Sequence, residues 1–108
     1  MLTPDEIRKL KPGPELDRAV CEIVMEVKNP ARPPAYSTSW PGLGLVVEEM
    51  ERRKLFLQVL PLNHGGRFRV CFAAADCTTT PAVVASGIVE AAAKAALLAL
   101  AAQKGQQP

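Results

Sequence analysis

The residue types that most often carry catalysis are sparse in this chain, which has one histidine and three cysteines among its 108 residues. The best placed is Cys77, which follows Asp76 and precedes a predicted helix, where the helix dipole would stabilise a thiolate. His64 would have to serve as its base. However, His64 lies in a predicted hairpin turn and Cys77 follows the second strand, about 20 Å away at about 3.3 Å per residue. We therefore expect no catalytic residues and no enzyme.

Metal and phosphate sites also lack their sequence signals. The cysteines are dispersed, without a Cys-x-x-Cys spacing, so they do not form a zinc-ligand set. The segment Gly42-Leu43-Gly44 follows no predicted strand and matches no phosphate-binding loop. We interpret Cys21 and Cys71 as small buried apolar residues, and we expect no cofactor and no metal. An odd number of unpaired cysteines, and no apolar signal segment at the N-terminus, indicate a reducing, cytoplasmic location.

A group of basic residues around the predicted hairpin could bind nucleic acid. Its members would form a strip on one side of the strands: Arg52, Arg53, Lys54, Arg67 and Arg69. Phe56 would lie among them as a surface on which a base could stack. Against this, the net charge is only +2, and the glutamates within Glu48–Glu51 lie one helical turn away. We expect a solvated, locally paired surface and keep nucleic-acid binding as the alternative function.

Two aromatic residues flank a cluster of hydroxyl side chains after a proline-rich segment. Tyr36 and Trp40 could form an exposed patch of the kind that binds a partner protein. The other interpretation is structural, with Trp40 anchoring the following helix to the core and Tyr36 lying along the domain. We favour the structural role.

Capping signals predict three helices in the first half of the chain. Thr3 as N-cap, Pro4 and Glu6 begin a short helix that ends near Leu10. A second helix begins at Pro14 and is stopped by Asn29-Pro30. A third, capped by Ser39 or Thr38, ends at about Arg53. Apolar residues at helical spacing predict their buried stripes: Leu16, Val20, Ile23 and Val27 in the second, and Trp40, Leu43, Val47 and Met50 in the third.

The second half predicts two strands and a long helix. Leu55–Leu60 and Arg67–Ala73 flank a turn-forming segment and read as an antiparallel hairpin. The first strand is apolar on both faces, which predicts cover on both. The last helix would begin at Pro81, capped by Thr80, and continue to about Ala102. Its charged residues Glu90 and Lys94 argue against a membrane span and favour a buried helix.

These elements, in this order, resemble the phage ABA-sandwich domain, a family of small phage and prophage proteins. The resemblance lies in the Thr-Pro-Asp-Glu-Ile opening, Glu15-Leu16-Asp17, the segment 33–38, Val46-Val47-Glu48, the hairpin, and the closing helix of small residues. It covers about residues 2–102 and implies an α/β/α layering. Family members carry a tryptophan near the position of Gly44, whereas this chain has Trp40. No biochemical function is established for the family, so the resemblance implies no catalytic residue.

We therefore predict an α+β fold in the order α-α-β-β-α, with an antiparallel β-hairpin layered with helices as an α/β/α sandwich. Residues 1–108 form one domain, with a short helix at 3–11, a core at 13–103 and a frayed tail at 104–108. A two-stranded sheet is marginal alone, so two copies should pair, edge to edge or through the last helix. The predicted function is that of a non-enzymatic phage or prophage accessory protein that contacts itself and an unidentified phage or host protein, with no membrane association.

Overall fold

A computed structural model describes residues 3–28, 31–62, 66–76, 78 and 80–105. His64, Cys77 and the end of the predicted tail, 106–108, lie outside the described residues, so the proposed thiol pair is not placed. The helices are α1 (Pro4–Lys9), α2 (Pro14–Ile23), α3 (Trp40–Arg52) and α4 (Ile88–Gly105). The strands are β1 (Leu55–Pro61), β2 (Phe68–Ala74) and β3 (Val83–Ala85). The predicted α+β class is confirmed, with one more strand than expected.

The predicted helix starts are confirmed where a capping side chain is present. Thr3 and Glu6 form a reciprocal capping box at α1. At α3 the Ser39 hydroxyl accepts the Gly42 amide at 3.1 Å and donates to the Ala35 carbonyl at 2.8 Å. A side chain on Gly42 would collide with that same carbonyl, so glycine is required there. The chain before α3 is therefore folded tightly against the first turn of the helix.

The second helix ends earlier than predicted, at Ile23. Glu26 adopts a left-handed conformation with a φ of 58°, and the Val27 amide bonds back to the Cys21 carbonyl at 3.1 Å. A left-handed residue terminates a helix because the backbone can no longer continue its ladder. Val27, predicted to lie on the buried stripe, is consequently exposed.

The predicted start of the last helix at Pro81 is wrong, because residues 83–85 form a third strand. Thr80, expected as the N-cap, instead donates both its amide and its hydroxyl to the Phe72 carbonyl, at 3.1 and 2.6 Å. Val83 then pairs with Val70, antiparallel. The β-branched pair Val83-Val84 favours extended backbone, and the helix begins only after Gly87. It continues to Gly105, so the prediction of a frayed tail is wrong for residues 104 and 105, which are helical.

In the described part of the chain α4 and α3 contact the sheet from one side, and α1 and α2 contact α4, so the predicted α/β/α layering is not found within one chain. The sheet has the strand order β1-β2-β3. One side of α4 packs on β2 and β3, and its other sides contact α1, α2 and α3. Every residue from Ala91 to Leu100 is buried, as predicted for this helix. Lys94 lies within that stretch because its ammonium group donates to the Arg8 carbonyl and to Glu90, both at 3.1 Å.

No helix within the described ranges has the length and apolar character needed to cross a membrane. The apolar surface of α4 is used inside the protein. Its small residues let neighbouring elements approach closely, which is how one helix can contact the sheet and three other helices at once.

Candidate interaction surface on the sheet

The two faces of the sheet differ in their surroundings. Cross-strand pairs such as Leu57 with Phe72 and Gln58 with Cys71 place alternate residues on opposite faces. We call the side under α4 the core face; it carries Leu55, Leu57, Val70, Phe72 and Val83. We call the other side the open face; it carries Phe56, Gln58, Leu60, Arg69, Cys71, Ala73 and Val84. Among the described residues, no helix covers the open face, so the predicted cover for the second side of β1 is not found within one chain.

The open face exposes large apolar side chains around a centre of small ones. Phe56, Leu60 and Val84 are exposed by 40, 56 and 50%. Cys71 and Ala73 lie between them on the central strand and are buried. An open depression of about 360 Å³ lies on this surface, lined by Gln58, Val59, Leu60, Arg69 and Cys71. Grouped apolar side chains with a polar rim are typical of surfaces that bind another protein.

The free edge of β1 adjoins the open face. The Leu62 amide donates to the Arg67 carbonyl of the facing strand at 2.9 Å. Because backbone groups alternate along a strand, Leu57 and Val59 must then direct their amides and carbonyls away from β2. In the described part of the chain no hydrogen bond reaches those outward amides. Pro61 also lies at an outward position, where its missing amide hydrogen breaks no bond within the sheet.

Metal-ligating side chains do not cluster in the described ranges. No group of three or more histidine, cysteine or acidic residues there could hold a metal ion. Cys21 and Cys71 are free and buried, as predicted, with Cys21 in the core and Cys71 on the open face of the sheet.

The structure does not bring the predicted basic strip together. Arg52 pairs with Glu49 at 3.1 Å. Arg53 pairs with Glu49 at 3.7 Å and donates to the Val24 carbonyl at 2.8 Å. The remaining basic residues lie at opposite ends of the hairpin. Lys54 precedes the Leu55–Ala74 pair, whereas Arg69 faces Leu60, about 16 Å further along at about 3.3 Å per residue. Arg67 lies next to Arg69 and is exposed.

The two candidate aromatic contacts, Tyr36 and Trp40, differ in their exposure to solvent. Trp40 is 65% exposed at the start of α3, so the expectation that it anchors the helix to the core is wrong. The buried side of that helix is formed by Leu43, Val46 and Met50 instead. Tyr36 is only 4% exposed and cannot contact a partner.

A buried polar contact holds the segment around Tyr36 against α2. The Asp17 carboxylate accepts the amide and the hydroxyl of Ser37 at 2.8 and 2.7 Å. The same hydroxyl accepts the Gly13 amide at 2.9 Å. Burial, with Cys21 and Asp17 nearby, raises the pKa of the Tyr36 hydroxyl to about 12. This region is closed to solvent and serves to position the chain before α3.

Sequence reasoning missed Val84 as a surface residue because it assigned Val84 to a helix. The signal that could have found it is the Val83-Val84 pair, since two adjacent β-branched residues favour a strand. The open-face residues of β1 were visible as an apolar alternation, but which side the helices cover was not.

Comparison with known proteins identifies one similar fold. No family model matches the chain, and no curated protein matches it. Among solved structures, the chain is similar to a crystal structure of a phage protein from Bacillus cereus ATCC 14579, with a TM-score of 0.64. The likeness covers 94% of this chain and 90% of the other at 15% sequence identity. At that identity the similarity shows a fold shared with a phage protein.

Proposed function

We propose that this chain is a phage or prophage accessory protein related to the phage ABA-sandwich family, which acts through protein–protein contacts and self-associates. The proposal includes the absence of catalysis. Its phage context is supported by the fold shared with the Bacillus cereus phage protein. The observation that carries the contact function is the open face, whose exposed Phe56 and Leu60 lie on β1 beside its unpaired edge, with exposed Val84 across the sheet on β3.

The chemistry of this surface suits a protein partner better than a small polar ligand. Its apolar side chains are grouped on one side of the sheet, and burying them would be favourable in proportion to the area removed from water. Arg69 and Gln58 supply polar groups within the same surface. An apolar centre with polar groups beside it is the usual composition of a protein interface.

We place this activity in the cytoplasm of a bacterial host. The free, buried thiols of Cys21 and Cys71 support a reducing compartment. Nucleic-acid binding is not part of the proposal, since Arg52 and Arg53 are paired with Glu49, and Arg67 and Arg69 lie at the other end of the hairpin.

The proposal is tested by measuring mass against concentration. Light scattering after gel filtration should give a mass that rises from 11.6 kDa toward twice that value as concentration increases from low to high micromolar. Leu60→Ser should weaken this self-association at least about fivefold, because the substitution removes an apolar side chain from the surface. The matched control is Leu45→Ser, which changes an exposed leucine on α3. A monomeric mass throughout, or equal losses from both variants, would contradict the proposed surface.

A further inference from the structure

The free edge of β1 carries one device against strand pairing, Pro61 at its last residue, and no other over Leu55–Leu60. The strand spans seven residues, Leu-Phe-Leu-Gln-Val-Leu-Pro, and contains no charged side chain. Edge strands are commonly protected by lysines, by prolines, by bulges or by shortness, and an unprotected apolar edge is a template for another strand. The pairing of β1 with β2 continues in one register through Leu62, so no bulge twists the edge away.

We propose that two copies of this chain pair antiparallel along β1, about a twofold axis at Gln58, and so join their three-stranded sheets into one of six strands. The inference rests on the proposed self-association and specifies its geometry. Gln58 is the middle residue of the strand, so this register is the one that uses the whole strand in both copies. It places Leu55 opposite Pro61 of the second copy, and Leu57 opposite Val59.

This register pairs most of the outward backbone groups. Leu57 and Val59 both direct their amides and carbonyls to the free edge, so each would exchange two hydrogen bonds with the other residue of the second copy. The Leu55 amide would donate to the Pro61 carbonyl. Pro61 has no amide hydrogen to return, so the Leu55 carbonyl, at each end of the junction, gains no backbone partner. Gln58 would face its own copy in a non-hydrogen-bonded pair, with close side chains.

The side chains complement one another in the same register. On the open face, Phe56 of each copy would lie opposite Leu60 of the other, which pairs two exposed apolar residues. On the core face, exposed Val59 would lie opposite half-buried Leu57 and extend the apolar layer across the junction. Residues directly opposite share a face, so the twofold axis is perpendicular to the sheet. Both open faces would then form one continuous surface, with all helices behind it.

A charge exchange at residue 58 tests the register directly. Gln58 is exposed, so Gln58→Lys and Gln58→Glu should both fold. Each variant alone would bring two like charges face to face at the axis, and its self-association should weaken about fivefold or more. An equal mixture of the two should restore association as a heterodimer. Leu45→Lys is the control, because it adds the same charge to an exposed apolar residue on α3, outside the open face. Sedimentation velocity and circular dichroism are measured for all four samples and the wild type.

The outcomes distinguish this inference from the proposed self-association on which it rests. Weakening by each single variant, restoration in the mixture and wild-type behaviour of Leu45→Lys support the register. If the wild type dimerises and the residue 58 variants dimerise equally well, the register is overturned while self-association stands. Loss of association in Leu45→Lys alone would show packing through α3 and also overturn it. A wild type that stays monomeric removes both the self-association and its geometry.

Discussion

Val83 and Val84 are neighbours on β3, yet one is 6% exposed and the other 50%. The same division continues across the sheet: Phe72 on the core face is fully buried, whereas Phe56 on the open face is 40% exposed. Residue type does not explain the difference, since the paired residues are identical. The position of α4 explains it, because that helix packs against one face of the strands.

The two faces consequently contribute to different properties of the protein. On the core face, side chains fill the space between the strands and a helix of small residues. Changes in the volume of these side chains should therefore lower the stability of the whole fold. On the open face, the central positions Cys71 and Ala73 are small and the large residues stand around them. We infer that the core face determines stability and that the open face is available for contacts.

The largest expected difference between the faces comes from truncating their phenylalanines. Phe72→Ala should lower the free energy of unfolding by about 3–5 kcal/mol, because it leaves a cavity beneath α4. Phe56→Ala should lower it by less than about 1 kcal/mol, because much of its side chain is already in water. Urea denaturation at low protein concentration, where the monomer dominates, measures both. Similar losses from the two variants would show that the open face is packed within the monomer.

A second prediction concerns the titration of the Tyr36 hydroxyl, which is buried, in contrast to the side chains of the open face. The pKa of Tyr36 is raised to about 12, chiefly by burial, so the folded state holds this proton more tightly than the unfolded chain does. The resulting stability is complete below the ordinary tyrosine pKa of about 10 and is lost as pH rises through 12. Between about pH 10 and pH 12 the wild type should therefore lose up to about 2–3 kcal/mol of its free energy of unfolding through this group. Tyr36→Phe should not show this loss.

Tyr36 is the one tyrosine in the sequence, so tyrosinate absorbance reports its titration without interference from another tyrosine. The native protein should titrate with a midpoint well above that of the urea-unfolded chain. Equal midpoints in the two states would mean that the Tyr36 hydroxyl is exposed to solvent in the folded protein, as the side chains of the open face are. The Phe56→Ala variant is the control, and its midpoint should match that of the wild type.

Local signals in the sequence predicted those elements that local chemistry determines. Thr3 and Ser39 cap helices through bonds to amides three residues away, and such bonds follow from short-range sequence alone. The hairpin was predicted because β1 and β2 are neighbours in the chain with a turn between them. The start of the last helix was missed because Thr80-Pro81 has the form of a cap, while its real partner is the distant carbonyl of Phe72.

Local sequence signals were also insufficient to predict the candidate surface. The alternation in β1 indicated two apolar faces, but the sequence contains no local signal for the side on which α4 packs. Trp40 was assigned to the core on hydrophobicity, although the helix turns Leu43, Val46 and Met50 inward and leaves Trp40 outside. The buried bond between Asp17 and Ser37 joins residues 20 positions apart and has no sequence motif. These features depend on tertiary packing, which overrides local pattern.

The smallest expected effect gives the strictest test of the comparison, because it uses one substitution at two adjacent residues. Val→Thr conserves shape and replaces a methyl group with a hydroxyl. At Val83 the hydroxyl would be buried on the core face, and the free energy of unfolding should fall by about 1–3 kcal/mol. At Val84 it would remain in water, and the change should stay within about 0.5 kcal/mol. Both variants keep a β-branched residue in the strand, so strand propensity cannot produce the difference. Thermal and urea unfolding of the pair at low protein concentration measure it. If Val84→Thr cost as much as Val83→Thr, the open face would have to be covered in solution, and its residues could not form a free contact surface.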